Sequence, residues 1–290
     1  MSTFTTSDGC DLDYRDEGSG PRTLVLLHGW SQSRAMYDRV IPALAQHYRV
    51  ISYDQRAHGE SGKPARGARM ARLAQDLHEL LDHLGVASAD LAGHSMGCSV
   101  LWSYLDNHGS GRVDSLIAID QPSACTVLPW MTPEEGTEAG AILGFAGAEE
   151  FAKGLLGPDS DSVRHAFLVS MLTPDISADD LAWLYAENLK FPAPFGARLL
   201  IDHVMQDWRD VLPSIDVPTL VIGGEVSHVA PVSQEWIRDR IPGARLRVFT
   251  RAEGGGHFPF FEQPGPFAEA LIGFLDALPA PRGAAAPSPV

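Results

Sequence analysis

From Thr23 onward, short apolar runs alternate with longer stretches of helical periodicity, and that rhythm narrows the possible folds more than any other feature of the chain. TLVLLHG, RVISYD, ADLAGHS, VDSLIAID, VPTLVIGG and ARLRVFT read as strands. Between and after them, AMYDRVIPALAQH, ARMARLAQDLHELLDHLG, MGCSVLWSYLDNHG, SQEWIRDRI and PFAEALIGFLDAL place apolar residues three and four apart, as helices do. Near-continuous apolar strands must be covered on both faces, and helices that return the chain between parallel strands supply that cover. The expectation is an α/β protein with a mostly parallel, twisted sheet and helices on both faces. The initial FTTSDGCDLDYRDEG predicts a short antiparallel hairpin at the sheet's edge.

After Asp120 the rhythm breaks. Residues 123–213 are helical in period, carry proline and acidic breaks, and show no convincing strand, which predicts a helical cap inserted between two sheet strands. The expected organisation is a core in two parts, residues 1–122 and 214–278, with the cap at 123–213 between them. Residues 279–290, rich in proline and alanine, are expected to be a disordered tail. No internal repeat is visible.

Composition excludes several function classes. Hydrophobic residues at 44% and charged residues at 20% suit a soluble globular enzyme. A formal net charge of -15 disfavours nucleic acid or an anionic membrane as partner, since both reward basic surface. The three cysteines, Cys10, Cys98 and Cys125, are too few and too scattered for a disulfide framework or a zinc site. The start MSTFTTSDGCDLDY lacks a basic segment followed by an apolar one, and no apolar run approaches the ~20 residues of a membrane span. These readings predict a cytoplasmic protein that acts on a small molecule. No phosphate loop, metal cluster or nucleotide fingerprint is readable, so no cofactor and no metal are expected. Nothing in the sequence reads out an oligomeric state.

Gly93-His94-Ser95-Met96-Gly97 lies between the strand ADLA and the helix CSVLWSYL. A serine on a sharp strand-to-helix turn needs small flanking residues, and the helix behind it points free N–H groups at any charge developing beside it. Ser95 is therefore the candidate nucleophile and the Met96 N–H a candidate oxyanion donor. A second donor is expected from the loop after the first buried strand, LLHGWSQS, at the backbone N–H of Trp30. His28 in that loop reads as a brace, and Cys98 behind the serine as a small core residue.

Several segments together carry a resemblance. HGW at 28–30, YDQRAHGESGKP at 53–64, GHSMG at 93–97, PTLVIGGE at 218–225 and GGGHFPFFEQP at 254–264 make nearly the whole chain similar to the α/β-hydrolase fold superfamily. The resemblance implies the chain order serine, acid, histidine and puts the general base at His257. Among eleven histidines, His228 is the second candidate; His47, His78, His83, His108 and His165 suit surface or capping positions. Arg56, Gly59 and Ser61 read as structure in a loop near the serine.

The acid is less direct. Many members carry it after the strand matching TLVIGG, where this chain has Ser227. A serine can orient an imidazole but cannot offset its charge, so a carboxylate is expected elsewhere. Some members place it at the end of the earlier strand, which here is Asp120, closing VDSLIAID. Glu225 is the fallback, with Asp216 and Glu253 behind it.

A serine at the turn argues against haloalkane dehalogenase and epoxide hydrolase chemistry, for which similar proteins carry an aspartate there. The resemblance implies a serine hydrolase that takes an ester, lactone or similar activated carbonyl of a small apolar substrate through an acyl-enzyme. The chain also resembles the superfamily's cofactor-free dioxygenases in the GW-x-Q of Gly29 to Gln32, the placement of Asp120 and the HFP at 257–259, which implies a second reading: cleavage of a 3-hydroxy-4-quinolone-like ring with the His257–Asp120 pair as base. A non-catalytic ligand-binding relative is a third. The substrate pocket is expected among Trp30, Gln32, Trp130, Phe145, Trp183 and Phe258.

Overall fold

A computed structural model describes residues 2–282. The polar start forms the hairpin β1 (Ser2–Thr5) and β2 (Asp11–Glu17), antiparallel as expected. There follow β3 (Thr23–Leu27), the short helix α1 (Ile41–Leu44), β4 (Arg49–Tyr53), α2 (Met70–His83), β5 (Ala89–His94), α3 (Met96–His108) and β6 (Val113–Ile119). The next stretch carries β7 (Thr126–Val127), α4 (Pro133–Ala139), β8 (Leu143–Gly144), α5 (Phe145–Leu156), α6 (Ser160–Ser170), α7 (Ala178–Leu189) and α8 (Ala193–Val204). The chain returns to the sheet with β9 (Thr219–Gly224), α9 (Pro231–Arg240), β10 (Arg245–Phe249), α10 (Pro259–Glu262) and α11 (Pro264–Leu275).

Eight strands form one sheet in the order β1-β2-β4-β3-β5-β6-β9-β10. From β4 to β10 every pairing is parallel, while β2 meets β4 antiparallel. Every residue of β5, β6 and β9 is buried, the burial pattern of strands covered on both faces. Helix α2 shows the complementary pattern, burying Met70, Leu73, Ala74, Leu77, Leu80 and Leu81 along one stripe. Two core clusters result, one on each side of the sheet.

Three expectations need correction. The helical pattern of AMYDRVIPALAQH yields only a 3-10 turn at Arg34–Tyr37 and the four residues of α1, whose first turn carries Pro42, a residue that cannot donate to a preceding turn. The stretch after β6 is helical but also holds the two-residue strands β7 and β8, paired in parallel. Of the expected disordered tail, residues 283–290 lie outside the described residues. Its first part is largely exposed but tied to the core: the Pro279 carbonyl accepts from Arg22 and the Arg282 N–H donates to Asp114.

Candidate active site

Sheet register sets the site. Leu27 pairs with Gly93, and His94 with Ile119, so the chain leaves β3, β5 and β6 side by side at one end of the sheet. Ser95 turns off β5 into α3 with φ 52° and ψ -124°, a backbone conformation L residues rarely adopt. A Cβ on Gly93 would stand 2.6 Å from the Gly97 backbone, and one on Gly97 2.6 Å from the Leu27 carbonyl oxygen. The turn therefore closes only with glycine on both flanks. Ser31 and Asp120, beside Ser95 at this end of the sheet, also hold positive φ, strain of ~1–3 kcal/mol each that the surrounding packing must sustain.

Asp120 ends β6 fully buried. Its Oδ2 accepts from His257 Nδ1 at 2.6 Å and from the Ser227 hydroxyl at 2.5 Å, while the Gly224 N–H reaches Oδ1 at 3.3 Å. The residue at the alternative acid position thus serves the acid that is present. Burial pushes the Asp120 carboxyl above the usual range, and the Ser227 hydroxyl, the nearby His228 and the Gly224 N–H oppose that rise. Glu225 does not compete: it is exposed and accepts the Arg251 N–H. Asp216 is exposed too, and Glu253 is taken up by Thr250 and Arg247.

His257 sits in the glycine-rich loop before α10, 2% exposed. Its backbone N–H donates to Met171 and its carbonyl accepts from His94 Nε2 at 2.9 Å, which fixes the loop from two sides. With Nδ1 on Asp120, Nε2 is left for the cavity that His257 shares with Ser95. Burial drives the imidazole well below its ordinary pKa, so it rests neutral and able to accept a proton. His228 stacks edge-on against it at 4.5 Å between ring centroids, without touching Asp120 through a hydrogen bond of its own. His94 is a residue that sequence reasoning passed over. Its signal was its place inside the serine turn.

The loop after β3 crosses close to the serine, since a Cβ on Gly29 would lie 3.0 Å from Ser95 Cβ. Among the described residues no backbone acceptor takes the N–H of Trp30 or of Met96. His28 is the expected brace, accepting from the Gln55 backbone N–H at Nε2 and from the Gln55 side-chain amide at its carbonyl. Arg56 is fully buried on Asp76 and Asp8, Gly59 packs on the Asp54 carboxylate, and the Ser61 hydroxyl donates to the Asp54 carbonyl. Each serves the loop.

The cavity is roofed by the helices between β6 and β9. Trp30, Gln32 and Phe258 line it as expected, joined by Phe151, Phe167 and Leu200 from that roof. Trp130, Phe145 and Trp183 do not line it. Trp130 is 67% exposed before α4 with its indole on Asp207; Phe145, at the first position of α5, is 58% exposed. Trp183 stacks on Phe261 outside the cavity. Six residues further along α5, Phe151 packs against Trp30 in place of Phe145. Among the described residues no group of three or more His, Cys, Asp or Glu is placed to hold a metal ion, and no helix is long and apolar enough to cross a membrane.

A family model described as alpha/beta hydrolase fold matches residues 22–264. The chain is similar to a non-heme haloperoxidase of Rhodococcus erythropolis, 30% identical over 252 residues that cover 86% of this chain and 91% of the relative. Among solved structures, a bromoperoxidase from Bacillus anthracis shares the fold with a TM-score of 0.85 at 24% identity, covering 95% of this chain and 100% of that one. An esterase from Exiguobacterium antarcticum gives a TM-score of 0.83 at 26% identity, covering 95% and 99%.

Proposed function

The chain belongs to the alpha/beta hydrolase fold family, and from that premise we propose that it is a serine hydrolase cleaving a carboxylic ester or lactone of a small, apolar substrate. One observation carries the reading: Ser95, on a strained turn, lines the same cavity as His257, whose Nδ1 is held at 2.6 Å by buried Asp120. In this mechanism Ser95 Oγ attacks the carbonyl carbon as His257 Nε2 takes its proton. The carbonyl oxygen, now anionic, accepts from the Trp30 and Met96 N–H groups. His257 returns the proton to the departing alkoxide, leaving an acyl-Ser95. Water, deprotonated by His257, then releases the acid and restores the serine. Asp120 holds the tautomer that leaves Nε2 bare and offsets the imidazolium formed in each half. The helices roofing the cavity act as a cap that excludes water and selects the acyl group, and the formal net charge of -15 favours a small molecule over nucleic acid or an anionic membrane as partner.

The reading is tested with p-nitrophenyl butyrate, recording the burst of nitrophenolate and the intact mass of quenched protein. A burst with one added butyryl group, absent in Ser95→Ala, is expected. A Ser95→Ala rate near wild type would remove the nucleophile. A second reading draws on the placement of the acid on β6 with a serine at the later position: the His257–Asp120 pair acts only as a base for oxygenolysis. It predicts no adduct, with oxygen uptake on a 3-hydroxy-4-quinolone.

A further inference from the structure

We propose that Gln32 is a specificity-determining residue that selects a flat apolar ring carrying a donor and an acceptor side by side, as the cis-amide edge of a lactam does. The inference rests on the cavity at Ser95 being the substrate site. Gln32 lines that cavity, is 2% exposed, and has no hydrogen-bond partner at either Oε1 or Nε2 among the described residues. Exchanging the two atoms leaves the same two without a partner, so the result does not depend on which way the amide is turned.

Its neighbours hold it in place. The Trp30 indole donates to the Gly196 carbonyl, the Ser31 N–H donates to His58, and the Ser33 hydroxyl donates to Glu187. Of the other polar side chains of the cavity, the Gln121 amide donates to the Pro122 carbonyl and contacts Cys125, and His203 Nε2 meets Cys125 at 3.7 Å; His203 Nδ1 and His228 Nδ1 are single ring nitrogens without a partner, whereas Gln32 leaves a whole amide, donor and acceptor together, unpaired. A buried primary amide with neither end satisfied is costly, and a bound molecule that supplies both partners recovers that cost.

The donor set defines the ligand. A ketone, ester or carboxylate offers only acceptors and leaves Oε1 bare; an ammonium offers only donors and leaves Nε2 bare. A lactam presents N–H and C=O on one edge and closes both bonds in a single ring. The aromatic part of the lining, Trp30, Phe151, Phe167 and Phe258, suits the faces of a planar ring.

The test is calorimetric titration of 2-quinolinone and of 1-methyl-2-quinolinone, which has the same ring but no N–H, into wild type, Gln32→Leu and the near-isosteric Gln32→Met. Wild type is expected to bind the lactam about tenfold or more tighter than its methylated partner. In whichever variant folds, the two ligands should fall within about twofold of each other, the wild-type preference having rested on that one hydrogen bond. Equal binding by wild type, no binding of either ligand, or a preference that persists in the variants overturns the proposal. Binding is read without turnover, so the two readings fail separately. A butyryl-Ser95 adduct without lactam preference removes this inference alone. A preference lost in the variants, without any adduct, removes the hydrolase reading alone.

Discussion

At the scale of single residues, Ser227 and Asp120 divide one task between two positions. The carboxylate carries the charge and the hydroxyl stabilises it at 2.5 Å. Asp120→Asn keeps the shape but presents the wrong hydrogen-bonding edge to His257, so kcat/KM for an ester should fall by about 10³–10⁴. Ser227→Ala removes one donor to a charged group and should cost roughly tenfold. Its pH profile separates it from a packing defect. The Ser227 hydroxyl lowers the Asp120 carboxyl, so without it the acid holds its proton to higher pH, and the acid limb of kcat/KM should move upward. An unmoved limb in Ser227→Ala, or an Asp120→Asn enzyme near wild type, would show that this pair does not act as described.

Among the elements, the strand-to-helix turn leaves little room for change. A methyl at position 97 would meet the Leu27 carbonyl oxygen at 2.6 Å, and β3 can move aside only by carrying the loop of Trp30 with it. Gly97→Ala should therefore destabilise by about 1–3 kcal/mol and reduce turnover more than its loss of stability explains. Gly273 is the contrast. It lies exposed within α11, where an added Cβ meets nothing within 4 Å. Gly273→Ala should raise stability by ~0.5–1 kcal/mol through helix propensity alone, with unchanged kinetics. Urea unfolding of both variants checks the pair, and equal effects of one sign would contradict it.

For the molecule as a whole, burial of neutral histidine is the dominant titration feature. Desolvation lowers His28, His58, His94, His203, His228 and His257 in the folded state. Unfolded, each takes a proton near pH ~6.5. Below that pH the unfolded chain binds more protons, so the stability these groups contribute is complete above about 6.5 and is lost as the pH falls. His108 is lowered in the same way, while Asp90, raised to about 6, and Asp120, with Asp38, Asp76, Asp202 and Glu262 raised as well, act with the opposite sign; the imidazoles are the larger set of groups that titrate at ~6.5 in the unfolded chain. The urea midpoint should therefore drop between pH 7 and pH 5. A midpoint that holds or rises would show that these imidazoles are not buried in neutral form.

The order of strands and helices, the serine turn and the histidine loop were legible in the chain because each is a local pattern. Apolar period marks an element, and Gly93 and Gly97 around Ser95 mark a turn that other residues cannot enter. Asp120 was legible from its strand end once Ser227 had vacated the other position. The aromatic side chains of the cap were not: Trp130, Phe145 and Trp183 look no different in sequence from Phe151 and Phe167. Which of them faces the cavity depends on how five helices settle over the sheet, a matter of long-range packing that local periodicity does not record. The same holds for the hydroxyl of Ser227 on Asp120, the hold of His94 on the His257 loop and the unpaired amide of Gln32. Each is a contact, or a missing one, between segments far apart in the chain, and only the folded packing decides it.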